Sequence, residues 1–298
     1  MKTVCILVAH NDADTLIAHL QRIRSWQCFD RILVVDNASE DATRVRVGAL
    51  QEEKIELLEA DRNLGYGAGN DLGLLRARQL GARFALIANP DTIYTEETVQ
   101  TLCRLMEHRP QLAVCAPLMI LSDADSEQRR PGSRANVLRS APAWPLRPWL
   151  YELLEAGPVC RRIFRRALHY PESFYRGKQA VCVGAVPGSL LLADVEKVLS
   201  AGSYDKDMFL YGEENLLGMR LQRAGWKTAL CLKCSYIHDH RAGKPDLSRQ
   251  ILREKSTLYY FIHTLGVTEG QELLARLFFL AVRAETWIAG RKRRRGKS

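Results

Sequence analysis

One unit repeats along the first half of the chain: an apolar run of strand length, a polar cluster, then apolar residues at helical spacing. Thr3 to Ala9 (TVCILVA) leads through HNDAD to Leu16, Ile17, Leu20 and Ile23. Arg31 to Val35 leads through DNASED to a helix from Ala42, and Ile55 to Leu58 leads through RNLGYGAGN to a helix ending at Leu80. Phe84 to Ala88 leads through NPDT to a helix over Glu96 to Glu107, and Leu112 to Pro117 adds one more strand. Strands that are apolar on both faces and alternate with helices predict an α/β fold with a mostly parallel central sheet. Ligands of such sheets sit at the carboxyl ends of the strands. The polar clusters at 10–14, 36–41, 63–70 and 89–92 all fall there, so one rim collects the chemistry.

From Ser122 the pattern dissolves into a segment rich in Arg, Pro and Trp, which predicts a basic insertion over the rim, residues 122–178. Order returns at Ala180 to Ala193, with a helix after Asp194, a strand or turn at Met208 to Tyr211, a helix over Glu213 to Ala224 and a strand over Lys227 to Leu232. Two helical stretches, Ser248 to Thr264 and Glu269 to Ile288, then form a helical C-terminal extension, 241–298, behind a first domain of 1–240. The net charge of +9 is uneven: residues 129–178 and the tail 291–298 together hold +14, leaving −5 elsewhere. A nucleic-acid binder would spread its cations over a folded face. This distribution fits an anionic membrane surface or a lipid-linked phosphate better, and no nucleic-acid partner is expected. The first residues turn polar at His10 without a long apolar core, and Leu277 to Val282 is far shorter than the ~20 apolar residues of a bilayer span. A cytoplasmic chain is expected, held on the inner face of the plasma membrane by its last helix and basic tail.

Cys5, Cys115 and Cys182 lie in apolar strand-like runs and read as small buried hydrophobes. Cys231 and Cys234, followed by His238 and His240, have zinc-like residue types, but four ligands within ten residues of a strand leave little loop to wrap a tetrahedron. Asp36 ends an apolar strand, where acids accept hydrogen bonds from a ligand's base or ribose; capping the next helix is a role that Ser39 or Asp41 fills better. Gly65, Gly67 and Gly69 have the wrong spacing for a dinucleotide fingerprint, yet they permit close approach of backbone to a sugar or phosphate. Asp91 can hold Mg2+ if phosphates and waters complete the octahedron, or can simply end the strand in an Asn-Pro turn. Glu213 and Glu214 open a helix, where one carboxylate can face a site. His238 and His240 suit a diphosphate or metal role.

In this order VAHND, VVDNASED, RNLGYGAGNDLGL, ANPDT, VGAVPGSLLLADV, FLYGEENLLGMRLQRAGW and IHDH resemble an inverting family 2 glycosyltransferase of the GT-A (Rossmann-like) nucleotide-sugar fold, of the rhamnosyltransferase-like type, over residues 1 to about 240. The resemblance implies that Ala9, Asn11, Asp36, Asn63, Gly65, Asn70 and Asp91 contact a nucleotide-diphosphate sugar. Asp91 would hold Mg2+ or Mn2+, with His238 and His240 assisting, and Glu214, with Glu213 as the alternative, would be the base. The implied reaction moves a hexosyl group, with dTDP-rhamnose among the donors, to a hydroxyl of a lipid-linked cell-surface polysaccharide acceptor. Two departures stand out. The family's Glu-Asp pair reads Glu213-Glu214 here, and the metal motif reads Asn89-Pro90-Asp91 in place of two carboxylates. They motivate a second reading, a catalytically inactive member acting as a binding subunit.

Overall fold

The computed structural model describes residues 2–121, 143–239 and 247–295. The repeating unit folds as its periodicity predicts: β1 (Thr3–Ala9), α1 (Ala13–Ile23), β2 (Arg31–Asp36), α2 (Thr43–Gly48), β3 (Ile55–Glu59), α3 (Tyr66–Gln79) and β4 (Phe84–Ala88). A two-residue strand, β5 (Thr92–Ile93), precedes α4 (Glu96–Glu107), and β6 (Leu112–Leu121) runs past the predicted Pro117. Three short helices, α5 (Trp149–Ala156), α6 (Pro158–Ile163) and α7 (Arg165–Leu168), occupy the described part of the insertion; residues 122–142 of it lie outside the described residues. Then come β7 (Ala180–Val183), β8 (Leu190–Asp194), α8 (Val195–Ser200), α9 (Glu213–Arg223), β9 (Lys227–His238), α10 (Leu247–Tyr260), a π-turn at Phe261–Leu265, and α11 (Glu269–Arg295). Met208 to Tyr211 is a bend, not a strand, because its carbonyls are taken from outside the sheet: Phe209 C=O accepts from Tyr66 N–H and Leu210 C=O from the Ser256 hydroxyl.

The strand order is β3-β2-β1-β4-β8-β6-β9-β5, with β7 also on β9. β1 to β4 pair in parallel, and β6 pairs in parallel with β9. From β8 onward the sheet is mixed, since β8 runs antiparallel to β4 and β6, and β5 and β7 run antiparallel to β9. The reversal has a direct effect on the rim. It sets the start of β8, at Gly188 and Ser189, beside the carboxyl ends of β4 and β6, where Asn89 N–H donates to Ser189 C=O at 2.8 Å.

Apolar clusters cover both sheet faces, one under α1 and α4 and the other under α3 and α8. Of the cysteines read as buried, Cys5 and Cys115 are, but Cys182 is exposed, because β7 pairs only with β9 and turns Cys182 outward. A third cluster, Leu153, Met208, Leu216, Tyr260, Phe261, Ala275 and Phe279, joins α5, α9, α10 and α11, so residues on both sides of position 240 share it. Buried Glu254 pairs with Arg283 at 2.6 Å and fastens α10 to α11.

The glycines after β3 serve this packing. Gly65 has φ +83°, and a Cβ on it would run into the Phe209 carbonyl; one on Gly69 would meet Val8 at 2.8 Å. Gly81 also has positive φ (+71°) but faces open space. Gly65→Ala is therefore expected to lose about 1–3 kcal/mol more than Gly81→Ala, since it adds overpacking to the shared backbone strain. Thermal denaturation of the two variants side by side is the measurement, and equal losses would contradict the packing role.

Candidate active site

The rim is assembled from loops that are hydrogen-bonded to one another. Asn37 N–H donates to Ala9 C=O, and the Asn37 amide donates to Asn63 Oδ1 and Gly65 C=O while accepting from Leu64 N–H at 2.9 Å. Asn11, at φ 54°, donates its N–H to Ser39 Oγ and accepts from Glu40 N–H at 2.7 Å. Asp41 accepts from Thr43 N–H and Ala13 N–H, so it ties together the starts of α1 and α2. The ends of β1 and β2 and the loop before α3 thus form one prefolded surface. Asn37 went unread, although it stands beside Asp36 in VVDNASED.

Asp36 is placed differently from the expectation of a carboxylate facing the rim. It is fully buried, with one oxygen accepting from Ser39 N–H and the other paired with Arg44 Nε at 2.7 Å. A buried carboxylate needs such partners, and the first turn of α2 supplies the cation eight residues on. The glycines also serve contacts within the protein. The close approach they permit is to Phe209, Tyr204 and Val8 of this chain, with Gly65 against the Phe209 backbone. Asn70 is buried on α3, its amide donating to Tyr66 C=O at 3.0 Å.

Beyond β4 the chain turns sharply. Thr92 N–H and its hydroxyl both bond to Asn89 C=O, and β5 pairs Thr92 with His238 and Ile93 with Ile237 of β9. The register brings Asp91 Oδ1 to 3.3 Å from His238 Nε2. From beneath, α1 holds the turn: buried His19 uses Nδ1 on Pro90 C=O and Nε2 on Tyr94 OH, and Arg22 donates to Thr92 C=O at 2.8 Å. His19 and Arg22 were not singled out from sequence; a histidine on the buried stripe of an amphipathic helix was the available signal. Burial, with Arg22 beside it, lowers the His19 pKa to about 4 and keeps the imidazole neutral. His238 turns to Asp91, away from Cys231 and Cys234, so these residues form no zinc cluster; His240 lies outside the described residues.

Two ligands at adjacent corners of an octahedron with bonds of ~2.1 Å lie about 3 Å apart. Asp91 and His238 have the spacing of two adjacent ligands of an octahedral cation, and their oxygen and nitrogen donors fit the oxygen-only preference of Mg2+ less well than a cation such as Mn2+; among the described residues no group of three such side chains forms a fuller site.

A cleft of 870 Å³ opens beside this pair, lined by Asn89, Gly188, Glu213, Glu214 and His238 on the sheet side. Its other wall comes from the insertion and from α10, including Trp144, Arg147, Glu152 and Arg253. Ala9, Asn11 and Asp36 do not line it; they belong to the neighbouring loop surface. Gly212, in the left-handed region at φ 83°, starts α9. Glu214 Oε1 accepts from Gly188 N–H at 3.3 Å. Burial, reinforced by the Glu214 charge, pushes Glu213 well above the ordinary carboxylate range, and burial also raises Glu214. A carboxylate of raised proton affinity in a cleft is suited to accept a proton near neutral pH. Asn215, next in sequence after the two acids, organises the far wall: it accepts from Trp144 Nε1 at 2.5 Å and donates to Glu152 at 2.9 Å.

The model of the family described as Glycosyl transferase family 2 matches residues 4–168. Among curated proteins, an N-acetylglucosaminyl-diphospho-decaprenol L-rhamnosyltransferase of Mycobacterium tuberculosis is 24% identical over 248 residues, 78% of this chain and 74% of the relative. The galactofuranosyltransferase GlfT1 of Mycolicibacterium smegmatis is 29% identical over 240 residues, 80% of this chain and 71% of the relative. Among solved structures, GalNAc-T7 with UDP, GalNAc and Mn2+ superposes with a TM-score of 0.60 at 12% identity over 93% of this chain; the chain spans 54% of that protein. The mannosyltransferase PcManGT of Pyrobaculum calidifontis, in complex with GDP-Man and Mn2+, superposes at 0.58 with 14% identity over 98% of this chain and 75% of that one. These likenesses bear out the GT-A fold.

Burial raises the Glu152 pKa from the ordinary 4.5 to about 7. The folded state therefore holds this proton more tightly than the unfolded chain. Its contribution to stability is full below pH 4.5 and is lost as pH rises towards 7. Glu152→Gln is expected to flatten the fall in melting temperature over that window. Parallel falls in wild type and variant, in thermal scans across the pH range, would contradict it.

Proposed function

The chain belongs to glycosyl transferase family 2 and is a glycosyltransferase, and we propose that it moves a sugar, with inversion, from a nucleotide-diphosphate donor to a hydroxyl of a lipid-linked polysaccharide precursor. The observation that carries this reading is one rim cleft lined by His238, which is held against Asp91, and by the adjacent acids Glu213 and Glu214. The name of the rhamnosyltransferase relative, with its diphospho-decaprenol, supports the acceptor class, and rhamnose is the donor sugar put forward. The prefolded loop surface at Ala9 to Asn11, Asn37 to Ser39 and Asn63 to Gly65 receives the nucleoside. Asp36 acts through that surface, fixing its loop by the Ser39 N–H and Arg44 contacts.

Asp91 and His238 would hold Mn2+ or Mg2+, whose charge when bound offsets that of the leaving diphosphate. Glu214 removes the proton of the acceptor hydroxyl as its oxygen attacks C1 of the sugar opposite the diphosphate. The Gly188 N–H bond holds one Glu214 oxygen, leaving the other to take the proton. Glu213 beside it is raised well above the ordinary carboxylate range by burial and then by the Glu214 charge.

The acceptor class also implies a membrane surface. Ala275, Phe279 and Val282 seat α11 on the protein, while Leu273, Leu277, Leu280 and Trp287 recur at spacings of three, four and seven on the opposite side. Those four are more than half exposed, and the basic run beginning at Arg291 follows them in sequence. An interfacial helix with a polybasic end suits a cytoplasmic enzyme that meets its lipid-linked acceptor on anionic lipid, with about 1 kcal/mol per cation near the surface. Among the described residues no helix is long and apolar enough to cross a membrane.

Two measurements test the reading. Asp91→Ala is expected to weaken donor binding and turnover together. Glu214→Gln is expected to keep donor binding while turnover, read as nucleoside diphosphate released in the presence of acceptor, falls ~100-fold or more. An inactive Glu213→Gln beside an active Glu214→Gln would move the base by one position. A wild-type chain that binds donor and releases nothing with any acceptor would be a binding subunit. In vesicle co-sedimentation, the full chain is expected to bind anionic lipid at low salt and to lose binding at high salt, and a version ending at Gly290 to bind less. Equal binding by both versions would exclude the tail as an anchor.

A further inference from the structure

β9 carries a feature that glycosyl transfer does not use. Pro117 of β6 pairs with Cys231, but the next residue, Leu118, pairs with Ser235. Leu232, Lys233 and Cys234 are therefore looped out of the β6 ladder. Pro117, without an N–H, marks a place where that ladder can break and leave no amide donor unmet. Across the base of the bulge the Cys234 thiol donates to the Cys231 sulfur at 3.7 Å. Cys231 is buried, Cys234 half-buried and Lys233 exposed. The hydrogen bond from Cys234 is the main reason the Cys231 thiol is drawn down to about 6, with backbone amides and the Lys233 charge assisting. The same hydrogen bond and burial push the Cys234 thiol far up, so one proton serves two sulfurs.

We propose that Cys231 and Cys234 are a dithiol site which a low-molecular-weight disulfide, such as oxidised glutathione, converts to an intramolecular disulfide, and that this closure loosens the rim at His238. The proton shared by the pair moves to Cys231, and the more accessible Cys234 sulfur, now a thiolate, attacks oxidised glutathione, forming a mixed disulfide and expelling one glutathione thiolate, which takes that proton from Cys231. The Cys231 thiolate then attacks Cys234 Sγ, forms the Cys231–Cys234 bond and expels the second glutathione thiolate, which takes a proton from solvent. Two electrons pass from the cysteines to the glutathione disulfide.

A disulfide bond is about 2.05 Å long, so closure draws together sulfurs that now stand 3.7 Å apart by more than 1.5 Å. The movement falls on the bulge, because Cys231 is anchored between Pro117 and Ala180 while residues 232–234 have no β6 partner. Immediately beyond, Ser235 to His238 re-enter the ladder, with Tyr236 OH on Ser189 Oγ at 2.6 Å and His238 paired with Thr92. A shift of this stretch turns the imidazole away from Asp91. The second half of the proposal rests on the reading of Asp91 and His238 as metal ligands.

The test uses the full chain, reduced and then equilibrated in oxidised or reduced glutathione buffers. Peptide mass mapping is expected to show the segment with Cys231 and Cys234 losing two hydrogens, reversibly with dithiothreitol. Titration with Mn2+ alone is expected to give a dissociation constant about tenfold higher for the oxidised chain, the scale of effects seen when a ligand's supporting contacts are lost. Cys234→Ser and Cys234→Ala are expected to keep one constant in both buffers. Thiols that persist, or oxidation that stops at the mixed disulfide, would overturn the dithiol site. A disulfide with unchanged Mn2+ affinity would overturn the link to His238. A chain that closes its disulfide but binds no Mn2+ in either state would keep the dithiol site and refute the metal reading instead.

Discussion

The pairing of β5 with the end of β9 is the contact on which the rim depends. It consists of two residue pairs, Thr92 with His238 and Ile93 with Ile237. A strand that short has no stability of its own, so its position is imposed from both sides. From one side α1 holds the turn through His19 and Arg22; from the other, β9 arrives already paired with β6 over Leu118 to Leu121. An imidazole and a carboxylate more than 140 residues apart in sequence are brought face to face by this seam. Nearby, the β4–β8 ladder continues into the Asn89–Ser189 bond, and the start of β8 sets Gly188 N–H on Glu214.

The strand-helix alternation of the first half was legible because each unit is local: its apolar period, its polar loop and its helix lie within about thirty residues. The rim's position followed from the same pattern, since parallel strands end on one side. What stayed hidden depended on partners distant in sequence. The reversal of β8 could not be read from an apolar run, because such a run has no direction. Nothing local to VVDNASED or RNLGYGAGN shows that Arg44 pairs with Asp36 or that the Phe209 backbone lies against Gly65. The Glu213–Glu214 pair was visible as a helix start, but the burial of Glu213 and the place of both acids in a cleft were not, because these depend on walls built by residues 143–178 and 247–265.

Electrostatics in the cleft follow from those walls. Glu152, Glu213 and Glu214 all gain proton affinity from burial, and so do the phenols Tyr66, Tyr204 and Tyr236 around them. Arg253, over the Tyr211 ring at 4.7 Å, works against this rise at Glu214. Burial and the Arg253 charge thus pull the proton affinity of Glu214 in opposite directions. In the proposed mechanism this is the group that takes the acceptor's proton.

The third apolar cluster has a consequence for how such an enzyme can change. It is separate from the two clusters on the sheet faces, and it binds α5, α9, α10 and α11 into a wall with its own interior. Substitutions far apart and without shared partners act nearly independently. Residues of α5, α10 and α11 can therefore be exchanged while the strands that hold Asp91 and His238 keep their register. The shape of the outer cleft is in this way open to redesign through positions such as Tyr151 and Gln250, whereas Trp144, bonded to Asn215 beside Glu214, stays tied to the helix that carries the acids.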